Sequence, residues 1–213
     1  MSTFKKGILG AFSGKTGNVV GATWKGRPVM RSLPSKSTKP KTQAQLDQQE
    51  KFKLVVNMMS GMSDLLNNGF KSLSSQISGV NAAVSINLQR AVVGAVSPFS
   101  LDYSLIQLSF GGLPNAPGAA ASAVAGNKVK FDWVDNSGTG KALETDIAIL
   151  VAYCPETSRS VYVTLGGSRS GLTQTLDTSI FAGKTVETWL SFKSADGKIV
   201  SDSVYTGSVV LVP

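Results

Sequence analysis

The chain has 213 residues, 42% hydrophobic and 16% charged, a balance that supports a packed core and excludes disorder throughout. One cysteine, Cys154, excludes an intrachain disulfide, and the absence of histidine removes the commonest general base and the commonest neutral metal ligand. The net charge of +8 is uneven: residues 1–53 hold 11 Lys/Arg and 2 Asp/Glu, whereas residues 54–213 hold 10 and 11.

The apolar patch Ile8–Phe12 is short for a secretory signal, and no stretch approaches 18 uninterrupted apolar residues, so no helix is expected to span a bilayer. A cytoplasmic or virion-associated location is the expectation. Gly14–Gly17 reads as a turn. Asn18–Trp24 and Arg27–Leu33 read as a hairpin about Lys25 and Gly26, with Pro28 marking an edge strand. Residues 34–41 form a Pro/Ser/Lys linker. Thr42 and Gln45 then make a capping box for a helix running to about Asn68. Phe52, Val55, Met59, Met62 and Leu66 fall at helical spacing and give it one apolar stripe. Met58, Met59 and Met62 read as core packing rather than as an adaptable binding surface. A second helix is expected over Ser78–Gly94, with Val80, Val84, Leu88 and Ala91/Val92 on one face, completing a helical hairpin.

After Pro98 the pattern turns to alternation. Strands are expected at Tyr103–Phe110, Ala119–Ala125, Lys128–Trp133, Asp146–Tyr153, Ser160–Leu165, Gly171–Leu176, Thr185–Lys193, and Val200–Tyr205 with Ser208–Val212. Short strands at this spacing, without helices between them, indicate a sandwich. The predicted fold class is α+β: an N-terminal β-hairpin and helical hairpin, then an immunoglobulin/fibronectin type III-like antiparallel β-sandwich. The predicted domains are 1–98 and 99–213, with Trp133 and Trp189 in the core.

Catalytic chemistry finds little support. Without histidine, neither a Ser-His-Asp triad nor the usual zinc sites can be built. Asp132, Asp135, Glu144 and Asp146, with Asn136 nearby, lack the spacing of a calcium loop and read as a solvated loop. The run Gly10–Thr16 is one residue short of a phosphate loop. Cys154 reads as a buried structural thiol. No catalytic, cofactor-binding or metal-binding residue is assigned, no cofactor is expected, and the chain reads as a non-enzyme.

The strings Gly14–Gly21 (GKTGNVVG), Trp24–Pro34 (WKGRPVMRSLP), Lys39–Gln45 (KPKTQAQ), Asn81–Leu88 (NAAVSINL), Trp133–Gly138 (WVDNSG) and Ser194–Tyr205 (SADGKIVSDSVY) resemble an uncharacterised family common in Bacteroidetes. The resemblance covers nearly the whole chain. It implies the same two-part layout, a bacterial or bacteriophage origin, and no established activity.

The candidate interaction surface is the basic segment: Lys5, Lys6, Lys15, Trp24, Lys25, Arg27, Arg31, Lys36, Lys39, Lys41, Lys51 and Lys53. The leading expectation is a structural, assembly or adaptor protein that contacts a protein partner or copies of itself, with a virion or tail-like component as its specific form. Nucleic-acid binding through residues 5–53 is one alternative. A carbohydrate-binding or adhesive sandwich, using Tyr153, Tyr162 or Trp189 to stack on a sugar, is another.

Overall fold

In a computed structural model of the chain, which describes residues 3–4, 10–24, 27–35, 39–73 and 77–213, the expected hairpin is part of a four-stranded antiparallel sheet. Its strands are β1 (Thr3–Phe4), β2 (Phe12–Thr16), β3 (Val19–Trp24) and β4 (Arg27–Ser32), in the order β1-β2-β3-β4. Residues 14–17 are not a turn as a block. The turn is the two-residue loop Gly17-Asn18, closed by the pairing of Thr16 with Val19. Gly17 has φ +58°, and glycine at the first central position of such a loop matches the right-handed twist of the strands. Pro28 lies on the edge strand, as expected, opposite Thr23. Residues 1–42 form one compact unit, and residues 43–213 form the other.

The second unit begins with α1 (Gln43–Met59), α2 (Ser63–Gly69) and α3 (Gly79–Arg90). One helix to Asn68 was the expectation, but Gly61 breaks it at φ +82°. That left-handed conformation is open to glycine and rare for other residues, so it ends one helix and re-aims the next. The stripe survives the break: Val55, Met59, Met62 and Leu66 are all buried, while Phe52 is half exposed at 51%. The Ser78 hydroxyl caps α3 by accepting from the Asn81 N–H at 3.2 Å. A close approach sets the α3 entry, because a Cβ on Gly79 would stand 2.6 Å from the Leu66 carbonyl oxygen.

A small ribbon, β5 (Val92–Val93) with β6 (Ser100–Leu101), leads into the sandwich. Its strands are β7 (Ala120–Val124), β8 (Lys128–Asp132), β9 (Ile147–Cys154), β10 (Arg159–Val163), β11 (Thr173–Asp177), β12 (Thr185–Lys193) and β13 (Val204–Val210). They form two antiparallel sheets, β11-β8-β7 and β10-β9-β12-β13. Lettered A to G in chain order with β10 as C′, the orders are E-B-A and C′-C-F-G, the arrangement of a fibronectin type III sandwich.

The larger sheet is covered on both faces. Ala148, Leu150, Ala152 and Cys154 of β9, with Val186, Leu190 and Phe192 of β12, meet Val129, Phe131 and Leu176 of the smaller sheet. The alternate residues Ile149, Val151, Tyr153 and Trp189 meet Val55, Met59, Met62, Leu66, Phe70 and Ala83 of the helices and their caps. Strands buried on two sides become continuous apolar runs, and β9 reads Ile-Ala-Ile-Leu-Val-Ala-Tyr-Cys with all but its first residue buried. Trp133 and Trp189 are core residues as expected, at 4% and 0% exposure, but Trp189 serves the helical side.

Compactness therefore divides the chain after residue 42, where the sequence pattern suggested 98. The physical reason is the shared core: helices that read as a separate hairpin use their apolar stripe to cover the sheet. Fully burying an aliphatic or aromatic side chain is worth roughly 1.5–3 kcal/mol. Uncovering Ile149, Val151, Tyr153 and Trp189 would thus cost roughly 6–12 kcal/mol, as much as the stability of a whole domain.

The alternation in Tyr103–Phe110 does not make a strand. Asp102 accepts from the Ser104 N–H at 3.0 Å and starts a 3₁₀ turn at Tyr103–Leu105. Beyond it, Ile106 and Leu108 are buried in the helix-side core, while side chains replace ladder bonds to the backbone. The Asn87 amide accepts from the Gln107 N–H at 2.7 Å and donates to the Gln107 carbonyl at 2.7 Å. The Ser203 hydroxyl accepts from the Leu108 N–H at 2.8 Å.

Asn87 is fully buried, so Asn87→Leu would strand two buried backbone groups at about 1–3 kcal/mol each. We expect this variant to lose about 3 kcal/mol in urea unfolding. A loss below about 1 kcal/mol would show that the segment is held in some other way.

Candidate functional site

Strand register sorts the N-terminal sheet into two unlike faces. Lys15 pairs with Val20, Val20 with Arg31, Ala22 with Val29, and Trp24 with Arg27. Paired residues share a face, so Lys15, Arg27 and Arg31 stand on one side with Val20, Ala22, Val29 and Trp24. The opposite face carries Phe12, Gly14, Thr16, Val19, Gly21, Thr23, Pro28, Met30 and Ser32, and no charge. Gly21 accommodates the Phe12 ring, since a Cβ there would meet the Phe12 Cδ2 at 2.7 Å. Trp24 is 63% exposed and Met30 72% exposed.

Charge follows the division into units. Residues 1–42 contain nine of the 21 Lys/Arg and none of the 13 Asp/Glu, so residues 43–213 hold 12 cations against 13 acids, a net of −1. In the sequence alone the excess charge spans residues 1–53. Of the candidate surface, the sheet brings Lys15, Trp24, Arg27 and Arg31 together. Lys39 and Lys41 are exposed in the segment between β4 and α1. Lys51 and Lys53 belong to α1 in the other unit, and the Lys51 ammonium lies 4.4 Å from the Phe99 ring centre. Lys5, Lys6, Lys25 and Lys36 lie outside the described residues. The linear list of cations did not separate the faces, nor did it include Phe12, Val19 or Met30. The alternation Arg27, Val29, Arg31 was the available signal.

The second unit has an open apolar groove of about 640 Å³ between α1 and α3, lined by Phe52, Val56, Met59, Val80, Val84 and Leu88. The expected shared face of α3 is thus half-buried at this groove, while Ala82, Ala83 and Asn87 supply its buried side.

The carboxylates singled out in the sequence do not converge. Asp132 pairs with Lys130 at 2.8 Å, and that bond lowers its pKa. Asp135 accepts from the Ser137 hydroxyl and N–H, which lowers its pKa. Glu144 is exposed. Asp146 is fully buried and bonded to the equally buried Arg169 at 3.1 Å. Arg169 also donates to Asn136 at 2.6 Å and to the Pro114 carbonyl at 2.9 Å, and its guanidinium carbon sits 4.1 Å from the Phe192 ring centre. That network ties three loops together, a structural use of charge. Among the described residues, no group of three or more His, Cys, Asp or Glu could hold a metal ion. Cys154 is buried in the inter-sheet core.

The sugar-stacking candidates are packed inside. Trp189 and Tyr153 are 0% and 4% exposed, and half-buried Tyr162 packs against the helix-side core. Tyr103, Tyr153, Trp189 and Tyr205 form a chain of ring contacts with centroids 5.6–6.4 Å apart. Burial, then the neighbouring Tyr153 and Glu187, push the Tyr103 hydroxyl up to about 12. Burial and its hydrogen bond to Glu187 push Tyr205 up as well.

Strand order and the added helical layer define the body as a helix-backed fibronectin type III-like sandwich. A family of unknown function, DUF6266, matches residues 11–207, and the chain belongs to that family. The match runs across both compact units. No curated protein matches the chain in sequence. Among eight solved chains that match is the fn3 domain of human collagen alpha-1(XX) chain, at 18% identity and TM-score 0.32, covering 48% of this chain and 90% of that one. The sandwich assignment stands on the strand order rather than on that superposition.

Raised tyrosine pKa values stabilise the fold through the neutral hydroxyl. The contribution is complete below the ordinary value of 10 and is lost as pH climbs towards about 12. We therefore expect the urea midpoint to hold steady to about pH 9, then fall above about pH 10, and to fall less in Tyr103→Phe. A midpoint unchanged to about pH 11.5 would contradict this.

Proposed function

We propose that this chain is a non-enzymatic assembly protein. Its helix-backed sandwich is the body, and its N-terminal sheet makes the contact with other copies of the chain. The supporting observation is the uncharged face of that sheet. Phe12, Val19, Pro28 and Met30 lie on it, with Val19 39% and Met30 72% exposed. An open apolar face on a small sheet loses free energy in water until another surface covers it. Pro28 in the edge strand removes a ladder N–H, which favours face-to-face contact over edge-to-edge addition. A subunit of a larger particle, such as a virion or tail-like structure, is the finer form of this reading.

Sedimentation of the full chain tests it. From about 1 to about 100 µM, the mass should rise from 22.3 kDa to a multiple of it. The double variant Val19→Lys, Met30→Lys should stay monomeric with unchanged circular dichroism. A wild-type chain that stays monomeric over the whole range would contradict the proposal.

A further inference from the structure

The charged face of the N-terminal sheet has a different chemistry from the face proposed for assembly. We infer that it is a platform for single-stranded nucleic acid, with Trp24 stacking on a base and Lys15, Arg27 and Arg31 holding the phosphates around it. This inference uses the opposite face and does not depend on self-association.

Three observations carry it. The first is charge: residues 1–42 hold nine cations and no acid, so nothing in the unit competes for Lys15, Arg27 or Arg31 as a carboxylate would. The second is register. Lys15, Val20 and Arg31 form one row across three strands, which sets the two cations about 10 Å apart. Trp24 and Arg27 are directly paired, about 13 Å further along the strands. The third is Trp24 itself, 63% exposed and paired across the strands with Arg27. Exposed aromatics among cations on a flat sheet bind bases by their π-faces, and those faces are free only where bases are unstacked. A duplex fits worse. Four strands span about 14 Å between outer backbones, wider than a major groove of about 12 Å. An acidic protein surface would engage the cations alone, whereas a base also engages the exposed ring.

The test is a titration of the full chain with labelled oligothymidylate of about 20 nucleotides, read by anisotropy and by tryptophan fluorescence. Trp133 and Trp189 are 4% and 0% exposed, so quenching reports Trp24. We expect binding with quenching at low salt. Trp24→Leu should weaken binding about tenfold, and Trp24→Tyr should restore most of it. Replacing Lys15, Arg27 and Arg31 by Gln should lower the slope of log K against log salt by about 2, at roughly 0.7 per phosphate. The same replacement of Lys128, Lys141 and Lys198 on the body should leave binding unchanged. Absence of binding at low salt would overturn the inference, as would undiminished binding by Trp24→Leu. Equal competition by polyglutamate would assign the face to an acidic protein instead, and would overturn it too.

Discussion

The larger sheet of the sandwich is apolar on both sides, and the rest of the body follows from that. In β9 and β12 the residues facing one way are Leu150, Leu190 and Phe192, and those facing the other are Ile149, Val151, Tyr153 and Trp189. A sandwich needs only one apolar face per sheet. The second face obliges the chain to supply another layer, and residues 43–90 supply it. The methionine stripe is then core, and the break at Gly61 is how one helical segment is bent to fit. Asn87 and Ser203 extend the same logic, since they satisfy the backbone of residues 107–108 where no strand neighbour does.

The buried Arg169–Asp146 pair and the aromatic cluster of the body are both taken up in its packing. Its most unusual polar group, Arg169 with Asp146, spends its donors on loop backbone and an asparagine. Its aromatic cluster is closed by packing. The N-terminal sheet is the reverse case. It has no acid, exposes a tryptophan and a methionine on opposite faces, and contains few buried residues. Charge and apolar area are separated on this sheet, one to each face.

Much of the fold was legible in the sequence. The strand spacing after residue 119, the hairpin pairing about residues 25–26, and the edge position of Pro28 follow from alternation and turn chemistry. Three features were not. Strand β2 is short and contains Gly14, so its composition reads as turn. Tyr103–Phe110 alternates like a strand, but at Gln107 and Leu108 its backbone is held by side chains distant in sequence. The third is the boundary between units. The unbroken run in β9 did signal two-sided burial, but which element covered the second side depends on tertiary packing that periodicity does not encode. For the candidate surface, composition located the charge and only register could assign it to a face.

Residues 43–213, helices included, are one compact unit around a shared core and should fold as one. The most direct test of this compares two fragments, 43–213 and 99–213, in urea unfolding followed by tryptophan fluorescence and by binding of a hydrophobic dye. Fragment 43–213 should unfold cooperatively with native-like stability. Fragment 99–213, with Ile149, Val151, Tyr153 and Trp189 uncovered, should bind dye and show no cooperative transition. A folded, dye-silent 99–213 with the same unfolding midpoint as 43–213 would contradict it.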